Sequence, residues 1–409
     1  MKIYQIAFRN IQRNLRRSLL SMTAIMIAAM SIVMLFSLMA GMKSELYYNI
    51  KSFYTGQVRI RNSKYDENEL LNPMHLRVEN YEDVIQALQD NPKVDLAVPR
   101  IFFPGIADPN DQFEPVLGTA VDFTAETEFQ NLKDYISEGR MPRMGSTEIL
   151  MGGKLARDLG LKLGDRITVQ TTTIRRGPNA VTFTLVGIAK WPVANLNTKT
   201  IYAPIDTMQR ITQMKDSATE ILVKFKPEVT DSEAMTIAGQ VIKPYTNLSA
   251  KLWIDISTMA AFISIADTMY TIIAFFFFAL ASTVIINTTM MVIFERMREI
   301  GTIAAMGMKG KEIVKLFFTE AFYLALIGSA AGVLLGIGFT YLLGFTGIDY
   351  TKTMEEVNFE MSSIIYPKLD LRSTVGTFFY SLTVASLASI LPTRRAAKIE
   401  PVEALRYVG

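Results

Sequence analysis

The sequence predicts an α-helical membrane protein with four transmembrane helices and a large extracytoplasmic α+β domain inserted between helices 1 and 2. Hydrophobic residues make up 50% of the 409-residue chain, and the mean hydropathy is +0.22. Four runs contain no Asp, Glu, Lys or Arg, and they lie at 18–42, 268–294, 321–348 and 373–393. A bilayer core of about 30 Å is crossed by about 20 helical residues, so each run is long enough to span it.

A basic segment precedes the first run, as it does in a cleaved signal peptide. Its cations are Lys2, Arg9, Arg13, Arg16 and Arg17. The apolar part of a signal peptide contains about 7–15 residues, and 18–42 greatly exceeds that length. We therefore expect residues 18–42 to form transmembrane helix 1, after a short N-terminal helix in residues 1–17.

The distribution of Lys and Arg predicts the orientation in the membrane. The segments 1–17, 295–320 and 394–409 are basic and lie on one side if the chain crosses four times. The positive-inside rule places that side, with both termini, in the cytoplasm. Residues 43–267 then form a periplasmic domain of a multi-pass inner-membrane protein, and 349–372 form a smaller outer loop. The net charge of +3 therefore reflects orientation and not binding to nucleic acid.

The inserted segment 43–267 has the pattern of an α+β domain. "QVRIRN" and "DRITVQTTT" are typical of strands, and "RGPN" at 176–179 is a turn that leads into the strand "AVTFTLVGI". "YEDVIQALQ" and "DSEAMTIAGQVI" have helical spacing. The chain contains no cysteine, and this absence decides nothing about the compartment.

No residue pattern supports an enzyme, a metal site or a directly bound cofactor. The one histidine, His75, has no cysteine nucleophile available, and no G-x-S-x-G motif is present. A phosphate-binding P-loop needs G-x-x-x-x-G-K-[ST]. The nearest matches, Gly310–Glu312 and Gly153–Leu155, lack the first glycine and the hydroxyl. We therefore expect ATP and Mg²⁺ to be bound by a partner, and not by this chain.

A short charged stretch, "FERMREIGTIAAMG", separates the second and third apolar runs. On a helix, Glu295 and Glu299 lie one turn apart, and so do Arg298 and Thr302. Gly307 and Gly310 are expected to end this helix before "KEIVKLFFTEA" begins another. Two readings remain open: a helix–turn–helix elbow at 295–320 that meets a soluble protein, or a solvated loop whose charges only orient the chain.

Three blocks of the sequence resemble the macrolide-exporter-type (type VII) permeases of ABC transporters, also called FtsX-like permeases. The elbow block is "ERMREIGTIAAMGMKGKEIVKLFFTEA", and the C-terminal block is "LPTRRAAKIEPVEALRYV". The third, "EGRMPRMGSTEILMGGKLARDLGLKLGDRITV", lies in the inserted domain. The blocks occur in the family's order, and with the one-plus-three arrangement of spans the resemblance covers essentially the whole chain.

The resemblance implies that the elbow couples the permease to a cytoplasmic ABC ATPase. The residues that match the coupling element are Glu295, Arg296, Arg298, Glu299, Gly301, Gly307, Lys309 and Lys311. Two permease chains, as a homodimer or a heterodimer, would flank two ATPase subunits. Such permeases transmit ATPase closure to the periplasmic domain, an action called mechanotransmission. The amphipathic N-terminal helix, with Ile3, Ala7 and Ile11 on one face, would contact membrane lipid.

Two stripes in the apolar runs are candidate sites. Met22, Met26, Met30 and Met34 recur every fourth residue in the first run. Methionine surfaces adapt to varied apolar shapes, so this stripe is either the wall of a cargo cavity or an ordinary packing or lipid-facing surface. Gly328, Gly332 and Gly336 have the small-xxx-small spacing that lets another helix approach closely.

Lipoproteins are the cargo that the resemblance favours, taken from the outer leaflet and passed to a periplasmic carrier. A separate permease chain with a large outer domain suits that branch, but Glu320 and the rest of the elbow are closer to the generic exporter version. The alternatives are an exporter of antibiotics or peptides with a periplasmic adaptor, a regulator of cell-wall hydrolases, and a receptor without an ATPase.

Overall fold

A computed structural model describes residues 3–13, 15–108, 113–349 and 364–397. Most of the predicted outer loop and of the C-terminal tail, including the end of the C-terminal block, therefore lies outside the described residues. The chain divides into two compact units. One, the helical unit, contains the residues up to Ser44, Ile265–Asp349 and the residues from Ile364 onward; the other, the inserted domain, contains Glu45–Ser264.

The described helices comprise four long apolar ones and nine short ones. They are α1 Ile3–Arg13, α2 Leu15–Asn49, α3 Tyr81–Gln89, α4 Phe123–Gln130, α5 Gly153–Asp158, α6 Ala194–Lys199, α7 Ile205–Thr212, α8 Asp231–Ile242, α9 Ser257–Glu295, α10 Met297–Ala305, α11 Gly310–Thr346, α12 Leu371–Ala388 and α13 Ile390–Ala396. A π-helical segment, Ile50–Thr55, extends α2, and single 3₁₀ turns occupy Asp66–Leu71, Leu132–Tyr135 and Trp253–Asp255.

The described strands all lie in the inserted domain except the last two. They are β1 Val58–Asn62, β2 Val78–Glu79, β3 Val94–Asp108, β4 Glu114–Val121, β5 Ile136–Gly139, β6 Glu148–Gly152, β7 Arg166–Thr172, β8 Pro178–Ala189, β9 Thr200–Pro204, β10 Ser217–Ala218, β11 Glu220–Phe225, β12 Leu248–Leu252, β13 Ile348–Asp349 and β14 Ile364–Ile365.

Four stretches of the described residues are long and apolar enough to cross a membrane, which confirms the predicted number of spans. They are Ser18–Thr55, Ala260–Glu295, Gly310–Thr346 and Leu371–Arg395. Each extends beyond its charge-free run at one end or at both, because helical hydrogen bonding continues through the charged turns there. The inserted domain lies between the first and second of them, as the sequence predicted.

The inserted domain is built on a ten-stranded mixed sheet with the order β12-β1-β11-β3-β4-β9-β6-β8-β5, and β7 pairs with both β3 and β8. Only the β4–β9 and β6–β8 pairs are parallel. The long strand β3 joins the two halves, because its first part pairs with β11 and its last part with β7. The predicted strands β1, β7 and β8 and helices α3 and α8 are all confirmed.

The two largest apolar cores of the inserted domain pack on the sheet. Around β1, β11 and β12, side chains from α3 and α8 such as Val84, Leu88 and Ala234 are fully buried. The second core lies around β4 and β6–β9, where Phe103, Ile149 and Phe183 are fully buried. Burial of this apolar area is the main term that stabilises the domain.

The ends of the predicted outer loop are held on the helical unit. β13 and β14 form an antiparallel pair, and the chain after β14 runs along α2. There the Lys368 amide donates to the Ser37 carbonyl at 2.9 Å. A Cβ on Gly41 would lie 2.2 Å from the Tyr366 carbonyl oxygen, so only glycine permits this approach.

Candidate functional site

The predicted elbow is a helix, a tight turn and a second helix. Helix α9 ends at Glu295, Arg296 has non-helical angles (φ −98°, ψ 9°), and α10 follows. The Gly307 amide donates to Ala304 O at 2.9 Å, and the Met308 amide donates to Ile303 O at 3.4 Å. These two bonds form a Schellman motif, which needs the positive φ of +93° that glycine supplies at position 307.

Gly310 does not break the helix as predicted, because it is the first residue of α11. The break lies one residue earlier, at Lys309, whose amide donates to the Glu312 carboxylate at 3.1 Å. That bond satisfies one of the free donors at the start of α11. The turn between α10 and α11 is therefore closed at both ends by hydrogen bonds.

An apolar cluster holds the elbow together. Ile293, Met297, Ile300, Ile313 and Phe317 are at least 95% buried, and they belong to α9, α10 and α11. Ile303 and Met308 pack on the same cluster, as the Schellman motif favours. Helix α10 is thus packed against the ends of two spans, and it is not a solvated loop.

Arg296, one of the residues that match the coupling element, lies inside the elbow and not on its surface. Its side chain is 4% exposed and forms an ion pair with Glu320, which is also 4% exposed. Its Nε donates to the Glu299 carboxylate at 3.1 Å, and its guanidinium lies 5.3 Å from the centre of the Phe317 ring. Because burying a charge is costly unless it is paired, the guanidinium must stay with its carboxylates. Gly301 is also buried.

The Arg296–Glu320 pair borders a small cavity between α2, α9, α11 and α12. Its volume of about 30 Å³ is enough for about one water molecule. Hydroxyl groups of Ser21, Thr288 and Thr289 also belong to the lining residues. The rest of the lining is apolar, with side chains such as Ile25, Phe317 and Leu324, and none of the four stripe methionines belongs to it.

The other predicted coupling residues lie nearer the surface of the elbow. Glu295, Arg298, Gly307, Lys309 and Lys311 are exposed, and Glu299 is partly exposed. Sequence reasoning missed Met306, which is 75% exposed at the end of α10. The signal was present, because Met306 is a large apolar residue directly before the turn glycine. The exposed surface of the elbow therefore combines two lysines, an arginine, a glutamate and one large apolar side chain.

The glycine stripe of α11 lies directly against α2. A Cβ on Gly332 would lie 2.4 Å from the Met26 carbonyl oxygen and 2.9 Å from Ala29 Cβ. A Cβ on Gly328 would lie 2.9 Å from the Met22 carbonyl oxygen, and one on Gly336 would lie 2.8 Å from Val33 Cβ. The helix backbones are in contact here, which only small residues allow.

The methionine stripe of α2 runs beside this contact. Met22, Met26, Met30 and Met34 are all half-buried, and the carbonyls of the first three face the glycines of α11. Helix packing therefore explains much of the spacing. The part of each side chain that remains exposed is available to lipid or to an apolar ligand.

Comparison with known proteins follows the same division of the chain. The family model described as the MacB-like periplasmic core domain matches residues 18–241, and the model of the FtsX-like permease C-terminal region matches residues 271–401. Together they cover the elbow and most of the inserted domain and of the spans. The chain is an FtsX-like, type VII ABC transporter permease.

Curated relatives of this permease agree with that assignment at low identity. It is 20% identical to the lipoprotein-releasing system transmembrane protein LolC of Xylella fastidiosa (strain Temecula1), over 97% of this chain and 96% of that protein. It is 23% identical to the macrolide export ATP-binding/permease protein MacB of Agrobacterium fabrum, over 95% of this chain but 58% of that protein. It is 35% identical to the uncharacterized ABC transporter permease YvrN of Bacillus subtilis, over 30% of this chain and 26% of that protein.

Hydrogen bonds explain part of the block "EGRMPRMGSTEIL", which lies in the inserted domain and resembles the family. The Arg140 guanidinium donates to both oxygens of Glu148, at 2.8 and 2.6 Å, and the Arg143 amide donates to the same carboxylate at 2.9 Å. These bonds close the loop between β5 and β6. A Cβ on Gly139 would lie 2.2 Å from the Val186 carbonyl, so the backbone at this turn also needs glycine.

The Glu148 pair makes the permease sensitive to acid. The hydrogen bonds from Arg140 lower the pKa of Glu148 to about 2, below its usual value of 4.5. A carboxyl with a depressed pKa stabilises the fold above its unfolded pKa, and this stability is lost as the pH falls from about 5 towards 2. We expect Glu148→Gln to cost roughly 1 kcal/mol at pH 7 and almost nothing near pH 2.

Thermal unfolding of the full chain in detergent at several pH values measures this effect. Glu138→Gln is the control, because Glu138 is exposed in the adjacent strand β5. A destabilisation by Glu148→Gln that is equal at pH 7 and pH 2.5 would contradict the assignment.

Within the described residues, no group of three or more His, Cys, Asp or Glu side chains is placed to hold a metal ion. His75 is exposed in a turn before β2.

Proposed function

We propose that this permease couples ATP hydrolysis by a cytoplasmic ABC ATPase to movement of its inserted domain on the periplasmic side. The ATPase binds the exposed surface of the elbow. The observation that carries the proposal is the packing of α10 between α9 and α11, together with the buried Arg296–Glu320 pair that joins the start of α10 to α11. A force on a helix held in this way displaces both spans together.

The exposed side chains of the elbow support an ATPase as the partner. Lys309 and Lys311 supply positive charge, and Met306 supplies an apolar contact next to them. Protein interfaces commonly combine an apolar anchor with a polar rim. The proposal also requires that ATP and Mg²⁺ are bound by the partner, since the chain has no P-loop.

A second permease chain is also part of the proposal. In the most apolar part of α9, 6% of the residues are buried, whereas 33% are buried in the corresponding part of each of the other three spans. Large side chains such as Phe275, Phe276 and Leu280 are at least 60% exposed on it. Lipid covers such a surface in part, but the difference from the other spans favours a neighbouring helix, from a second copy or a related chain.

For the cargo, we propose a lipoprotein or another amphipathic molecule taken from the outer leaflet and released to a periplasmic carrier. The alignment with LolC supports this cargo, because it covers almost the full length of both proteins. The competing candidate is export of a small molecule through an adaptor, which the similarity to MacB supports over a smaller share of that protein.

Charge reversal at the elbow tests the ATPase partner. We expect Lys309→Glu/Lys311→Glu to abolish co-purification of a P-loop ATPase with the permease in detergent. Lys215→Glu is the control, because Lys215 is 91% exposed in the inserted domain. Glu299→Lys is a poorer test, because Glu299 also accepts a hydrogen bond from Arg296. Retention of the ATPase by the double variant would exclude the elbow as its binding surface.

Orientation and cargo need separate tests. The chain has no cysteine, so Lys309→Cys and Lys215→Cys each carry a single thiol. In sealed spheroplasts, an impermeant maleimide should label Lys215→Cys and leave Lys309→Cys unlabelled; the reverse result would overturn the whole proposal.

For the cargo, release of a radiolabelled lipoprotein from spheroplasts should stop on depletion of the permease. Normal release together with a new macrolide sensitivity would favour export.

A further inference from the structure

One fully buried arginine in the inserted domain, Arg100, lies where the helix of the first span ends. Its side chain is 2% exposed, and that of its partner Glu126 is 0% exposed. Arg100 belongs to β3, which pairs with β11 on one side and β4 on the other. The guanidinium therefore projects from the middle of the sheet, and not from an edge that could adjust.

The guanidinium holds the last carbonyls of the helix. Its Nη1 donates to the Phe53 carbonyl at 2.5 Å, and its Nη2 donates to the Ser52 carbonyl at 3.3 Å. Both carbonyls belong to the π-helical segment Ile50–Thr55 that ends the helix. Carbonyls at a helix end lack partners within the helix and carry partial negative charge, so a cation there is stabilising.

Glu126 supplies the counter-charge from a third element. Its carboxylate, on α4, accepts from Nε of Arg100 at 3.3 Å and from Nη2, and also from Nε2 of Gln130 at 2.9 Å. Burial alone would lower the pKa of Arg100, but the Glu126 carboxylate raises it above the ordinary value. Arg100 stays charged, and one side chain joins the helix end, strand β3 and helix α4.

The connection that follows the helix is also tightly packed. Gly56 has φ +66°, and a Cβ there would lie 2.9 Å from the backbone of Val223 on β11. Lys51 lies 4.5 Å from the centre of the Trp253 ring, which comes just before α9. Trp253 in turn donates to Asp231 at the start of α8 at 3.0 Å. The polar contacts of Arg100 thus belong to a tightly packed region where the chain enters and leaves the inserted domain.

We propose that Arg100 is a positioning residue that joins the helix of the first span to the sheet of the inserted domain. Movement of the helix is then passed to β3 and α4, and it is not absorbed by bending of the 50–57 connection. The part of this inference that concerns transport rests on the function proposed above; the part that concerns the joint does not. A π-helical segment at this point agrees with it, since such segments are frequent at functional sites.

The chain offers a matched control for this joint. Arg61 is also a buried arginine of the same sheet, and it pairs with Glu220 at 2.5 Å and with Glu69 at 2.8 Å. Its partners do not include the helix end. Lysine keeps the charge at either position, but one ammonium on a flexible stem cannot reproduce the several fixed contacts of a guanidinium. Arg100→Lys and Arg61→Lys therefore differ in whether they release the helix end.

The first measurement is the distance distribution between two spin labels in the full chain. Tyr48→Cys places a label on the last turns of α2, and Glu128→Cys places one on α4; both residues are exposed, and the chain has no other thiol. We expect a narrow distribution with Arg100 present, a clearly broader one with Arg100→Lys, and an unchanged one with Arg61→Lys. Equal widths in the two lysine variants would overturn the proposal.

The second measurement is coupling in the assembled transporter. We expect Arg100→Lys to reduce cargo release per ATP hydrolysed by about tenfold, with basal ATPase activity within about twofold of the wild type, while Arg61→Lys changes neither. A broader distribution without loss of coupling would refute the transport part of the proposal. The label distances need no ATPase or cargo, so an error in the proposed function would leave the first test valid.

A second variant protects both tests against misfolding. Arg100→Met/Glu126→Met removes both charges and keeps a similar volume, which buried pairs often tolerate. It also removes the bonds to Ser52 and Phe53, so it should broaden the distribution as Arg100→Lys does. A narrow distribution in this variant would show that apolar packing alone holds the helix end, and the proposal would be wrong.

Discussion

Replacing Arg296 by leucine is expected to destabilise the permease by roughly 3–5 kcal/mol, because Glu320 is left buried without its counter-charge. The two side chains are each 4% exposed, so water cannot take the place of the lost guanidinium. The loss should appear as a large fall in the melting temperature of the full chain in detergent, and as loss of any activity that depends on the elbow.

The companion variants give this prediction its control. Glu320→Leu should cost less, because Arg296 keeps its 3.1 Å bond to Glu299, whose side chain is 38% exposed to solvent. Arg296→Leu/Glu320→Leu should lie close to the wild type in stability, since it removes both charges together. If Glu320→Leu proves more damaging than Arg296→Leu, Glu299 does not compensate, and our account of the elbow is wrong.

The second large effect is expected at the contact between α2 and α11. A Cβ on Gly332 would lie 2.4 Å from the Met26 carbonyl oxygen, and that atom is backbone and cannot turn away. Gly332→Ala should therefore force the two helices apart and cost about 1–3 kcal/mol, as overpacking usually does. The larger Gly332→Val should cost more, because its two methyl groups meet the same backbone.

Gly338 provides a control in the same helix. A Cβ at Gly338 meets no atom within 4 Å, so Gly338→Ala should be neutral or slightly stabilising through its better helix propensity. Both variants are compared by thermal unfolding in the same detergent. Equal effects at the two glycines would mean that α11 does not pack on α2 as described.

Local patterns in the sequence were enough to predict the spans and many elements of the inserted domain. Charge-free runs determine which segments can cross a bilayer, because moving a charged side chain out of water is costly whichever neighbours the helix packs against. Strands such as β7 and helices such as α8 followed from alternation and helical spacing over a few residues. The break of the elbow near Gly307 was also predictable, because a left-handed turn depends on the identity of a single residue.

The same local reasoning could not predict that Arg296 is buried. In the stretch Glu295–Glu299 its neighbours are charged, which favours a solvated helix face. Its main partner, Glu320, comes 24 residues later, and only the turn at 306–309 brings the two together. Arg100 and Glu126 are 26 residues apart, and neither stands in a pattern that marks it as buried.

The amino-acid sequence by itself determined the number of spans, the position of the inserted domain and the place of the elbow, because hydropathy and turn chemistry act over a few neighbouring residues. The tertiary structure alone decided which charges lie inside, which helix backbones touch and which side chains of the elbow are exposed. Those properties depend on pairs of residues that are distant in the chain. Each pair interacts strongly only after folding has buried both of its members together.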